Sequence, residues 1–494
     1  MVGGKTENCG MNGEKFYITT PIYYVNDKPH IGHAYTTIAA DTLARWHAAE
    51  GDNVFFLTGV DENAQKTVDA AKKTGEEIHA YTDRLAALWQ STWEKLGISN
   101  TDFIRTTEER HVAVVKDFWR RLEAAGDIYR GEYRGLYCKG HEAFLKEDEL
   151  VDGLCPDHKT APELVVEENY FFRLSKYQKA LLELYEENPD FVAPAHRFNE
   201  IKSFVERGLE DVSFSREKRD WGIPVPDDPG QVIYVWADAL VNYISAVGIE
   251  WWEEHPADMH VMAKDIARFH AVIWPAMLMS AGLPLPGQIV VHGFFTLNGT
   301  KISKSLGNTI DPLDVAARYG ADGLRYFLLR EIPFGADGDF SEAKLRERYN
   351  GDLANGLGNF AARVLALAAK EESLPALGAE GAGAPDNEFA GVIEDTRRAV
   401  RAKLVALKFP EALAAVWEVI SFGDRYVNEK KVWEINDDAA RRAALANLTA
   451  LLGAVGDMLA PFLPDASQKI KAALVREGDT VRAVKIEPLF PRAK

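Results

Sequence analysis

The chain has 494 residues, 47% of them hydrophobic, with a net charge of −18 and three cysteines. That length allows about three structural units, and no run of about eighteen apolar residues occurs, so no membrane span is expected. So few cysteines exclude a disulfide framework and point to a reducing compartment.

Residues 1–13 are polar and glycine-rich, with no signal-peptide core and no arginine-rich amphipathic pattern. They read as a disordered tail on a cytoplasmic protein, with Cys9 unpartnered. Phe16–Thr20 then reads as a buried strand, and Tyr35, Ile38, Leu43 and Trp46 recur at helical spacing until Gly51. Val54–Leu57 gives a second strand, completing a right-handed parallel βαβ unit. At the strand-to-helix handover stands Pro29-His30-Ile31-Gly32-His33. Two imidazoles flank a glycine where open N–H groups and the helix dipole favour phosphate. Gly32 lets an anionic ligand approach the backbone. Alone, the pattern fits a surface turn with two solvated histidines equally well.

Further on, Glu76–Leu96 carries Ile78, Tyr81, Leu85, Leu88 and Trp89 on a helical stripe, and Thr106 with Glu109 predicts a capping box for a helix ended by Gly126. The pattern then breaks into short strands, glycines and cysteines through about Pro162, an insertion in the nucleotide fold. Within it, Cys138-x-x-His141 and Cys155-x-x-His158 are separated by thirteen residues. Paired knuckles of this kind give tetrahedral S2N2 coordination suited to zinc, and four ligands leave no open position, so the site is structural. The plainer alternative is two unpaired cysteines and two surface histidines.

Val232–Trp236 and Met259–Met262 read as strands that resume the alternation. Ile289–Phe295 and the turn Asn298-Gly299 precede Lys301-Ile302-Ser303-Lys304-Ser305. A lysine-bearing loop after a strand can close over phosphates and stabilise charge during nucleotidyl transfer. A solvated basic loop is the alternative, and pairing with the first motif disfavours it. After Arg346 almost everything reads as helical, with a flexible loop at about Ala376–Pro385. The fold expected is α/β: a doubly wound parallel-sheet, Rossmann-like nucleotide domain with a zinc-knuckle insertion, followed by an all-α bundle.

With both motifs in view, the chain resembles class I aminoacyl-tRNA synthetases, whose signatures are H-I-G-H and K-M-S-K-S. Ile302 stands in place of the methionine. More narrowly it is similar to bacterial-type methionyl-tRNA synthetases, through T-T-P-I-Y-Y-V-N (Thr19 to Asn26), Y-V-W-A-D-A-L (Tyr234 to Leu240), K-D-I-A-R-F-H (Lys264 to His270) and W-P-A-M-L (Trp274 to Leu278).

The resemblance implies a methionine–tRNA ligase that forms methionyl-adenylate and then esterifies the terminal ribose of initiator and elongator tRNA(Met). His30, His33, Lys301 and Lys304 would be catalytic, with ATP on His30, Gly32, His33, Asp265 and Lys304 and magnesium accompanying it. Pro21, Ile22, Tyr24, Asp61, Trp236, Ala239, Tyr243, Ile266 and His270 would hold methionine. Asp61 would take its ammonium, although it could also cap the next helix. Asn359, Arg363 and Trp433 would read the anticodon. The family also carries zinc knuckles in this insertion, often with four cysteines, which gives Cys138, His141, Cys155 and His158 a structural Zn2+.

The implied organisation is a tail over 1–13 and catalytic halves over 14–127 and 216–300. Between these lies an insertion over 128–215 with its knuckle at 133–163. A lysine-loop and stem-contact region follows over 301–345, and an anticodon domain over 346–494. Lacking the extra C-terminal OB-fold through which members dimerise, the chain is expected to be a monomer. Two departures stand out: Asn63 and Ala64 replace the family's histidine and glycine, and Ala263 replaces a glycine.

An acidic chain opposes bulk phosphate binding, and only local clusters such as Lys344, Arg346 and Arg348, or Arg397, Arg398, Arg401 and Lys403, supply positive charge. For any one cluster a solvated helix face is the better reading. Among rivals, the leucine, isoleucine and valine enzymes need an editing insertion for which there is no room. A non-catalytic, zinc-knuckle nucleic-acid-binding relative is opposed by intact His30, His33 and Lys304.

Overall fold

The computed structural model describes residues 13–141, 143–145, 147–217, 221–297, 299–302, 308–376 and 386–493. The segment to Gly13, with Cys9, falls outside them except for its last residue, as do Lys304 and nearly all of the loop at 376–385. The chain forms two compact units. One holds the residues up to Glu94 and Ile98–His292; the other takes Lys95–Gly97, Gly293–Ile302 and the chain from Ile310 onward.

The first unit is built on a seven-stranded sheet ordered Tyr23–Tyr24, Asn53–Asp61, Lys15–Thr19, Met259–Ala263, Gln288–His292 and Val192–Ala193, with Asp102–Arg105 also beside Asn53–Asp61. Every pairing is parallel. Ile18, Phe56, Leu57, Val60, Val261, Met262, Ile289, Val290 and Val291 are fully buried, because parallel strands covered on both faces are apolar on both. Helix Ile31–Glu50 is buried on all sides from Ala34 to Ala44, which explains why its pattern is hardly amphipathic. It stops at Gly51, whose φ of 106° only glycine adopts readily.

Four expectations are corrected. Thr106 makes no capping box: Glu108 precedes helix Glu109–Ala124 without a side-chain bond, and the Thr106 hydroxyl accepts the Glu62 N–H at 2.9 Å. The insertion has a short strand, Ala143–Leu145, but is dominated by a long antiparallel pair, Ile128–Cys138 against Glu163–Phe172. Its polar outer residues interrupt the apolar runs that would have announced it. Val232–Trp236 is not a strand of the parallel sheet; Asp228–Ile233 lies in a separate antiparallel sheet, and Val235–Ala239 is helical. Ile289–Phe295 is two strands, Gln288–His292 and Phe295–Leu297, broken at Gly293. A Cβ there would lie 2.1 Å from the Ala336 carbonyl oxygen.

The second unit packs helices Pro312–Arg330, Glu342–Arg348, Asn359–Ala368, Asn387–Val405, Phe409–Lys430, Asp438–Leu459 and Pro464–Ala473. Fully buried Arg325 donates to the carbonyls of Pro461 and Phe462, closing the end of Asp438–Leu459. A three-stranded antiparallel sheet, Leu374–Pro375, Thr480–Ala483 and Leu474–Glu477, interrupts the helical pattern. Among the described residues no helix is long and apolar enough to cross a membrane.

Candidate active site and metal centre

In a doubly wound sheet, ligands bind beyond the carboxyl ends of the strands. In this chain that edge carries the start of helix Ile31–Glu50. His30 is its N-cap and accepts the Gly32 N–H at Nδ1 (3.1 Å), while His33 Nδ1 accepts the His30 N–H (3.2 Å). Two lone pairs committed this way leave the proton of each neutral ring on Nε2. The rings stack at 3.7 Å. A Cβ on residue 32 would sit 2.9 Å from the His30 ring, so the glycine between the histidines is what lets them pair. The two imidazoles thus cap the helix and present N–H donors of fixed tautomer at its positive end.

On the same edge, Tyr24 pairs in register with Asp61, the last residue of its strand. Asp61 is buried and accepts the Asn63 N–H at 3.0 Å. It does not cap the next helix, whose first flanking residue is Ala64, with no side-chain bond. Trp236 meets Tyr24 edge-on at 6.4 Å and His270 at 6.1 Å, and stacks on Phe269 at 3.9 Å.

The His270 Nδ1–H donates to the Ile266 carbonyl (3.0 Å), so its Nε2 accepts the Tyr243 hydroxyl proton (2.6 Å). Burial lowers the His270 pKa to about 4, keeping the ring neutral. The backbone there makes a π turn, Phe269–Ile273. Pro275 has no N–H to offer Ala271, and the Tyr185 hydroxyl bonds that carbonyl instead, at 2.7 Å. Ala239 is buried in the helix that carries Trp236, and Pro21 and Ile22 lead into strand Tyr23–Tyr24.

The fold therefore brings Tyr24, Asp61, Trp236, Tyr243, Ile266 and His270 together. Asp265 is exposed in the turn after strand Met259–Ala263. Lys301 ends the two-residue strand Thr300–Lys301 of the second unit, and Lys304 lies outside the described residues. Asn359 and Arg363 share one helix face there. Arg363 donates to Asp424 (2.9 Å) and Asn428 (2.6 Å). Trp433 is 50% exposed.

Sequence reasoning missed Glu62, a buried carboxylate whose pKa is raised by burial and pulled back by Thr107 and Arg105. It also missed His111, Asp238 and Ser245. Asp238 lay inside a matching segment; His111 gave no signal at all.

In the insertion, the ligand atoms of Cys138, His141, Cys155 and His158 lie within 4.8 Å of one another and could hold a metal ion. His158 Nδ1 is 3.7 Å from the Cys138 sulfur and 3.5 Å from that of Cys155; His141 Nδ1 is 3.5 Å from Cys155. The His141 Nε2–H donates to Asp157 at 2.8 Å, which leaves Nδ1 facing the sulfurs. Gly140 is required between the knuckles: a Cβ there would lie 2.2 Å from the His158 ring.

The family model for tRNA synthetases class I (M) matches residues 16–162 and 157–365. A methionine–tRNA ligase of Thermotoga maritima is 46% identical over 470 residues, spanning 92% of this chain and 74% of that protein. One from Brucella melitensis is 46% identical over 95% of this chain and 93% of its own length. Mycobacterium tuberculosis methionyl-tRNA synthetase in complex with methionyl-adenylate superposes with a TM-score of 0.90 at 39% identity, covering 97% of this chain and all of that one. The chain belongs to the methionine–tRNA ligase family of class I tRNA synthetases.

Proposed function

We propose that the chain activates methionine with ATP, releasing pyrophosphate, and transfers the methionyl group from the adenylate to the 3′-terminal ribose of tRNA(Met). One observation carries the reading: a buried acid and a neutral aromatic cage lie on the same sheet edge as a paired-histidine helix cap.

Asp61 takes the substrate ammonium. Tyr24, Trp236, Tyr243 and His270, with Pro21, Ile22, Ala239 and Ile266, enclose the thioether. Sulfur–aromatic contacts each contribute a fraction to about one kcal/mol. A neutral His270 whose two nitrogens are already engaged puts no charge against the sulfur. The methionine carboxylate attacks the α-phosphate in line. His30 and His33 donate from Nε2 to phosphate oxygens, Gly32 leaves room for the two rings to pair in that role, and Asp265 accepts from the ribose hydroxyls. Lys301 and Lys304 stabilise the departing pyrophosphate, and magnesium travels with the ATP.

The helical unit reads the anticodon, with Trp433 as a stacking surface and Asn359 and Arg363 as hydrogen-bonding groups. Zinc fits the insertion. Tetrahedral bonds of about 2.3 Å to sulfur and about 2.0–2.1 Å to nitrogen put S and N about 3.5–3.6 Å apart, against 3.5–3.7 Å between these side chains. Four protein ligands make it structural.

The experiment is charging of tRNA(Met) transcripts with labelled methionine. Methionylation that needs ATP and the CAU anticodon supports the reading. Adenylate formation without any transfer to tRNA contradicts it.

A further inference from the structure

We propose that Asp238 positions the amino-acid-binding acid: through Asn63 it holds the Asp61 carboxylate in place, and it is itself held by His111 and Ser245. This rests on the reading of Asp61 given above and deepens it. Asp238 and His111 are buried to within one per cent, and Ser245 to within five.

The proton order at the carboxylate is determined. A carboxylate only accepts, so His111 donates from Nε2 to Asp238 Oδ1 at 2.6 Å. His111 Nδ1 lies 2.7 Å from the Ser245 hydroxyl, which also bonds the Asn242 carbonyl at 3.2 Å. The other carboxylate oxygen, Oδ2, accepts from the Asn63 amide Nδ2 at 2.7 Å. Asn63 in turn gives its backbone N–H to Asp61 Oδ1 at 3.0 Å. Residue 63 is thus tied at both ends, by its side chain to the buried acid and by its backbone to the binding acid.

The geometry explains why a carboxylate belongs at 238. It faces two nitrogens from different elements, and no neutral side chain of that size holds both through charge-assisted bonds. Asp238 also sits two residues from Trp236 and next to Ala239 in the helix Val235–Ala239. The same short helix therefore sets the aromatic wall of the pocket and, through Asn63, its anionic end. Asp238 touches no substrate in this account; its effect passes through Asn63.

The test is Asp238→Asn, which keeps the volume and removes the charge that strengthens the bond to the Asn63 amide. Methionine KM in ATP–pyrophosphate exchange is expected to rise about tenfold, with ATP KM moving less than about twofold, the size of a lost charge-assisted hydrogen bond acting on one substrate alone. Combining Asn63→Asp with Asp238→Asn restores alternating donors and acceptors and is expected to recover most of the loss. Unchanged methionine KM, parallel rises in both KM values, or no recovery in the paired variant overturns the proposal.

Should Asp238→Asn fail to fold, Asn63→Ala on the partly exposed loop cuts the same link, with methionine KM expected up about fivefold and ATP KM steady. Parallel changes there overturn the proposal as well. Asp61→Asn in the same assay separates the two readings. If it raises methionine KM while Asp238→Asn does not, only the positioning role falls; if it leaves methionine KM unchanged, both fall.

Discussion

The proposed amino-acid pocket and the candidate metal knuckle belong to one unit yet are held together by opposite means. In the pocket, burial and long-range hydrogen bonds fix each polar group: His270 between Ile266 and Tyr243, Tyr185 on the carbonyl that Pro275 leaves open. In the knuckle, four ligands from two short turns converge on a centre that offers little core, and Leu154, Leu164 and Val166 nearby are exposed. A pocket built on burial keeps its shape before substrate arrives. A knuckle built on coordination would owe its order to a bound ion.

The largest effect expected from this contrast follows metal loss. Cys155→Ser releases the ion and loosens the insertion, seen as new protease cleavage between Cys138 and Glu163, while circular dichroism of the parallel-sheet unit holds. Gly140→Ala is expected to do the same without removing a ligand. Unfolding of the whole unit in either variant would mean that the two regions share one source of stability.

Next comes Asp61→Asn. Removing the buried charge opposite an ammonium is expected to raise methionine KM by roughly a hundredfold, with metal content unchanged. In the other unit, Trp433→Ala is expected to weaken charging of tRNA(Met) about ten- to a hundredfold by loss of stacking on one base, leaving adenylate formation intact. Charging at wild-type efficiency would remove the exposed tryptophan from recognition.

The smallest effect is a pH dependence. The His270 pKa lies near 4 against 6.5 for an ordinary histidine. As pH falls through that window the unfolded chain binds a proton that the folded ring refuses, so stability falls with it. His270→Gln is expected to flatten this acid limb in urea titrations between pH 6.5 and 4 and to leave the pH dependence near pH 8 unchanged. An acid limb as steep as in the wild type would place the responsible proton elsewhere.

Much of this was legible in the sequence, for physical reasons. Central parallel strands such as Gln288–His292 carry an unbroken apolar run, Ile289 to Val291, and announce themselves. Gly51 and the spacing of the Cys and His pairs are local signals. What was not legible depends on distant partners. Thr106 looked like a cap because its hydroxyl had no visible rival, yet Glu62, over forty residues away, claims it. Asn63 and Asp238 are 175 positions apart, and His111 and Asp238 127 apart. No periodicity records bonds of that range. The hairpin Ile128–Cys138 with Glu163–Phe172 was hidden because both strands expose polar side chains.

The central claim is that the cage of Tyr24, Trp236, Tyr243 and His270 beside Asp61 selects methionine for adenylation. ATP–pyrophosphate exchange without tRNA, run with each amino acid in turn on the wild-type protein, measures that selection directly. The account predicts rapid exchange with methionine and, for leucine, isoleucine and valine, exchange lower by orders of magnitude in kcat/KM. Equal or faster exchange with any of those three, or none with methionine, would contradict it.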